Sequence, residues 1–140
     1  VLKRGESLPD EQHVMRHVSW VRLERDENDN VLGFLPAAFE LRDGEDYLSV
    51  NWLEYYEQAH ADNVTACIAS VRSVLPAKKA RFGVAQVAKV KTLAKHSNKP
   101  VRIVYASSPK NLSHSALHID QPIPDAVCEA LALEFYKQHY

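Results

Sequence analysis

The chain is poor in the residues that build recognisable ligand loops. It has four glycines, Gly5, Gly33, Gly44 and Gly83, and no two stand close enough to form a phosphate cradle. No Gly-x-Ser-x-Gly occurs, which excludes a strand-to-helix nucleophile elbow. Cysteine is scarce as well. Cys67 and Cys128 lie far apart, so there is neither the disulfide framework of a small secreted domain nor a Cys-x-x-Cys metal or redox motif. Each falls on the apolar side of an expected helix, where a free thiol behaves as a small hydrophobe, and a cytoplasmic location is expected. No apolar run reaches the ~18 residues of a membrane span, and the opening "VLKRGESLPD" has no apolar signal core. Charge of one sign is also missing. Seventeen Lys and Arg against 18 Asp and Glu leave a net charge of −1, too little for a broad field toward nucleic acid or a membrane.

What is present is an ordinary hydrophobic inventory, 46% of 140 residues, enough for one domain over residues 1–140 with a real core. Residues 13–23 read either as a strand, with Val14, Arg16, Val18 and Trp20 on one face, or as a helix aligning Val14, Val18 and Val21. The strand is preferred because Val and Trp dominate and the polar turn "RDENDN" follows. "VLGFLPAAFEL" returns as strand-like pieces broken by Pro36, and Asp43-Gly44 marks another turn. "YLSVNWLEYYEQ" reads as a strand feeding a helix capped by Asn51. Val64, Cys67, Ile68, Val71, Val74 and Leu75 form a core-facing helical stripe that Pro76 stops. "ARFGVA" is strand-like, "QVAKVKTLAKHSN" is a basic amphipathic helix ending near Asn98, and "VRIVYA" and "NLSHSALHID" are strands. A helix with Pro at its start then sets Val127, Leu131 and Phe135 in register. The order predicts a single α+β domain, its mixed or mostly antiparallel sheet covered by three or four helices.

Two histidine pairs at i, i+4 stand out, His13 with His17 and His114 with His118. On a helix such a pair grips one ion, but on a strand it is spread over ~13 Å, too far for bonds near 2 Å. Neither a metal nor another cofactor is therefore expected. Acid–base chemistry is the stronger idea. A metal-free phosphodiester-cleaving enzyme needs two groups that trade protons near neutral pH and a cation for the phosphoryl charge. His13, Arg16, Ser113 and His114 supply that set if the two strands meet, with Ser49 and Asn51 as hydrogen-bond donors. The same residues can instead hold a nicotinamide dinucleotide, with Glu45 or Glu54 steering ribosyl transfer. The plainer reading pairs Arg16 with Asp10 or Glu11, makes Ser113 a turn residue and leaves Asn51 as a cap. A binding surface is the other possibility: Trp52, Tyr55 and Tyr56 share a helix face at i, i+3 and i+4, and such aromatics are usually core but also enriched at interaction hot spots. Lys78, Lys79 and Arg81 with Lys89, Lys91 and Lys95 give a weak basic patch, which with Tyr55 or Tyr56 is the whole case for nucleic acid.

The segments "HVMRHV", "FLPAAFELRDGEDYLSVNWLEYY" and "SHSALHI" together resemble a bacterial family of similar size to which no activity is attached. The resemblance implies a bacterial cytosolic protein and carries no function. Two expectations result. The first is an accessory domain that binds a protein partner through Trp52, Tyr55 and Tyr56, which requires an exposed apolar patch there. The alternative is a small histidine-dependent enzyme, a nuclease or transferase, which requires His13, Arg16 and His114 to converge in one pocket.

Overall fold

A computed structural model describes residues 2–95 and 101–140. Five strands form the main sheet: β1 (His13–Val18), β4 (Leu48–Trp52), β5 (Arg81–Gln86), β6 (Val101–Tyr105) and β7 (His114–Ile119). Their order is β5-β1-β4-β7-β6, with every pairing antiparallel. A separate hairpin joins β2 (Leu23–Arg25) to β3 (Val31–Phe34). Its turn is the expected polar cluster, in which Asp26 accepts from the backbone of Asn28 and Asn30 and Asp29 takes a left-handed φ of 62°. Residues 13–23 are thus a strand, one short 3₁₀ turn and the start of a second strand.

Three helices cover the sheet. α1 (His60–Val74) lies on one face, where Val64, Cys67 and Val71 pack against Met15, Leu53, Phe82 and Val84. α2 (Val87–Ala94) and α3 (Asp125–Tyr136) belong to the larger core on the other face, with Val14, Val18, Leu48, Val50, Ile103 and Leu117. Val127, Leu131 and Phe135 are buried in register, as their spacing predicts. The expected end of α2 near Asn98 lies outside the described residues. Cys67 and Cys128 are free and buried in different cores, and burial pushes their thiols up to about 12 and about 11. Among the described residues no helix is long and apolar enough to cross a membrane.

Three local expectations change. Asn51 is not a helix cap but an inner-strand residue of β4, paired with Met15 on one side and His114 on the other. "LEYY" is a 3₁₀ turn (Leu53–Tyr56), because Glu57 adopts a left-handed φ of 53° and ends it before a helix can propagate. The stripe on α1 is also shorter than predicted. Val74 and Leu75 are 41% and 47% exposed.

Segments near both chain ends continue the sheet. On the β6 side, Gly5 donates to Tyr105, Tyr105 to Glu6 and Leu8 to Ile103. On the β5 side, Val84 donates to Gln138, and Phe82 and Tyr140 exchange both backbone bonds at 2.9 and 2.8 Å.

Candidate functional site

The site begins as a fault in the sheet. β1 and β4 pair only at Val14↔Trp52 and Met15↔Asn51, then diverge, while β1 stays in register with β5 through Val18 and β4 with β7 through Leu48. The Arg16 guanidinium bridges the gap. Its Nη1 donates to the Ser49 carbonyl at 2.7 Å, and Nε and Nη2 donate to the Ala38 carbonyl at 3.1 and 2.7 Å. Arg16 therefore joins three segments through backbone carbonyls rather than pairing with Asp10, which instead holds Lys91 at 2.7 Å. Burial, then the neighbouring cation of Arg22, pulls the Arg16 pKa down to about 10; the Glu45 carboxylate opposes this and Arg42 adds to it.

Alternation on the strands sets what faces the gap. Met15, Asn51 and His114 are cross-strand neighbours on the α1 face, so His17, two residues beyond Met15, and Ser49, two before Asn51, project to the same side. The resulting cleft, about 430 Å³, is lined by Arg16, His17, Arg22, Arg42, Ser49 and His114 among others, with Val74 at the end of α1 and Leu75 just after it as an apolar wall. Those two exposed residues thereby acquire a role that a core stripe did not suggest.

Within the cleft, His114 is held at both ring nitrogens. Nδ1 lies 2.9 Å from the Ala106 carbonyl, which can only accept, so Nδ1 carries the proton. Nε2 of the neutral ring then has its lone pair free for the Ser49 hydroxyl, 3.2 Å away. A hydroxyl, a base and a group that fixes the base's tautomer are the parts of an activated nucleophile. Three guanidinium groups, Arg16, Arg22 and Arg42, stand around it with Glu45 as the one carboxylate in the lining. Burial, then the nearby Arg42, lower the Arg22 pKa, while Glu45 and Glu40 oppose this. His17 has its pKa lowered by burial, then by Arg16 and Arg72. Its Nε2, the Ser19 hydroxyl and the Asn111 side-chain oxygen are buried without a protein partner, and all three residues line this cleft. They are ready donors and acceptors for a polar ligand.

The other expected site residues are distributed differently. Ser113 is fully buried away from the cleft, donating to Asn51 Oδ1 at 3.1 Å and accepting from Tyr56 at 3.3 Å. His13 also stands apart. It is offset by two residues and two strands from His114, about 12 Å in Cα terms, with the Met15 core between it and His17. His13 meets Glu54 instead, its backbone N–H donating to Oε1 at 2.8 Å and its Nδ1 lying 2.7 Å from Oε2. Glu54 is thus not available to the cleft, whereas Glu45 is. His118 faces Tyr47, whose ring separates it from His114. The aromatic trio forms no exposed patch: Trp52 is buried with its indole N–H on Gln12, Tyr55 packs on Trp52 and Tyr105, and Tyr56 bonds Ser113. Nor do the basic residues gather with it, since Lys79 lies over Trp20 and Lys91 pairs with Asp10.

Of the cleft residues, His17, Ser19, Arg22, Arg42 and Asn111 were not among the expected ones. His17 carried a signal, since residues 13, 15 and 17 share a strand face; the others sit on loops and turns, where no periodicity marks them. Comparison with protein-family models, curated proteins and solved structures finds no match.

Proposed function

We propose that the cleft binds a small phosphate ester and that Ser49 and His114 cleave it. The observation that carries this reading is the Ser49 Oγ–His114 Nε2 contact, with Nδ1 anchored on Ala106, beside three guanidinium groups. His114 takes the Ser49 hydroxyl proton, Oγ attacks phosphorus, and the bond to the leaving oxygen breaks as that oxygen takes the proton back from the imidazolium. Water, activated by the same ring, then releases phosphate from Ser49 and restores the hydroxyl. Arg22 and Arg42 offset the charge on the non-bridging oxygens, and Arg16, through the Ser49 carbonyl, sets where Oγ stands. Guanidinium forks suit phosphate geometry, which favours a phosphoryl over an acyl centre. The histidine-dependent reading thus gains support with Ser49 and His114 at its centre and without His13 or Ser113. The partner-binding reading has less support because its aromatic residues face inward. Two free, buried thiols agree with a reducing cytoplasm, and a bacterial origin rests on the family resemblance.

The test is hydrolysis of p-nitrophenyl phosphate and bis(p-nitrophenyl) phosphate, with inorganic phosphate as inhibitor. Ser49→Ala and His114→Gln should each lower kcat by at least ~100-fold, while Arg22→Ala should act mainly on KM. Full activity in Ser49→Ala, or phosphate inhibiting no better than chloride at equal ionic strength, would overturn the proposal.

A further inference from the structure

Beyond the cleft, a second group of side chains has the composition of a metal centre. We propose that His13, Glu54 and His60 bind one divalent transition-metal ion, best matched by Zn²⁺. One ligand atom from each of the three lies within 4.8 Å of the others. They come from three elements: the first residue of β1, the 3₁₀ turn after β4 and the first residue of α1. The left-handed backbone at Glu57 turns the chain back so that His60 returns beside Glu54.

The donors are arranged for the task. Both Glu54 oxygens are oriented by His13, one by its backbone N–H and the other by Nδ1. The two imidazoles meet edge to face, centroids 4.7 Å apart at 62°, rather than stacking. Gln138 Nε2 lies 2.7 Å from His60 Nε2; ligation through Nε2 displaces this contact, and ligation through Nδ1 puts the ring proton on Nε2, where the turned amide's oxygen accepts it. Bonds of 2.0–2.1 Å place tetrahedral ligand atoms about 3.4 Å apart. Binding therefore requires the exposed His60 side chain to rotate inward and the His13–Glu54 contact to open from 2.7 Å. His13 and Glu54 keep 29% and 25% side-chain exposure, leaving an entry path and a fourth position for water. Two neutral imidazoles and one carboxylate suit the nitrogen and oxygen preferences of zinc. The ion takes the place of the proton between His13 Nδ1 and Glu54 Oε2, and in the neutral ring that proton moves to Nε2.

Titration of the chelator-stripped full chain with Co²⁺, followed by its visible ligand-field bands, tests this. The expected result is one site whose bands are abolished by one equivalent of Zn²⁺. His60→Ala and Glu54→Gln, with unchanged circular dichroism, should weaken binding at least ~100-fold, the upper end of what losing a mere supporting contact costs. His118→Ala, which removes a histidine remote from the group, should bind like the parent. Zinc binding that survives both ligand substitutions, or that falls equally in His118→Ala, would overturn the proposal. So would a parent chain without the Co²⁺ bands. Activity does not enter the readout, so the fate of the cleft reading leaves this result unaffected.

Discussion

Replacing Arg16 with Met keeps most of the side chain's volume and removes the bridge between β1, β4 and the 3₁₀ turn at Pro36–Phe39. Three hydrogen bonds to two carbonyls disappear. A hydrogen bond involving a charged group contributes about 1.5–3 kcal/mol, and a buried group left unpaired costs about 1–3 kcal/mol. The carbonyls are not equivalent. Ser49 is exposed and water can reach its oxygen, whereas Ala38 is buried and its oxygen has less access. The guanidinium is itself destabilised by burial and by Arg22, which its pKa of about 10 records, and removing it returns part of the loss. A net destabilisation of about 3 kcal/mol follows. For 140 residues, an unfolding entropy of about 2.1 cal/mol/K per residue gives a Tm lower by about 10 °C. Arg16→Lys should fall roughly midway, since one ammonium cannot reproduce the two-pronged contact with both carbonyls. Differential scanning calorimetry with circular dichroism measures both. If Arg16→Met melts within about 2 °C of the parent, or if Lys equals Arg, the guanidinium does not hold the diverging strands and the account of the cleft's origin is wrong.

Acid stability follows from His17. Its folded pKa lies below the ordinary 6.5, so the unfolded chain binds the proton more readily. The contribution is complete above about 6.5 and is lost as pH falls through that value toward the lower folded one. His17→Gln should therefore lose less of its urea midpoint between about pH 7.5 and about pH 5.5 than the parent does. His118, lowered by burial and Arg102, has the same sign in both proteins, so an equal loss in the two would exclude His17 as the source. Gly83 tests the packing of α3. A Cβ there would lie 2.5 Å from the Phe34 ring, 2.7 Å from the Phe135 carbonyl oxygen and 2.8 Å from Phe135 Cβ. Gly83→Ala should cost about 1–3 kcal/mol, read as a lower urea midpoint at unchanged slope; an unchanged midpoint would show that the hairpin and α3 yield freely.

Much of the fold was legible because long periodic segments carry their own evidence. Val127, Leu131 and Phe135 announce α3, and "VRIVYA" a buried strand. "NWLEYY" misled because its aromatic spacing suits a helix, while the feature that ends it, the left-handed Glu57, leaves no reliable trace in a non-glycine residue. The site was legible in part. Strand parity already sets His13 and Arg16 on opposite faces, and it aligns His17 with His13. What no local pattern holds is the register between β4 and β7, which gives His114 to Ser49 rather than to its own neighbour Ser113. Arg22 and Arg42 reach the cleft from a turn and a loop, so only the divergence of β1 from β4 explains why they gather there.

The segments at residues 5–8 and 138–140 act as selvedges on the woven sheet. Each occupies backbone groups that a bare outer strand would offer to another chain. Strand addition directly onto those stretches of β5 and β6 is thereby obstructed. The same arrangement gives those two short segments a protective role at the sheet's edges. Displacing either one would uncover a ready template for self-association before any of the core had been disturbed.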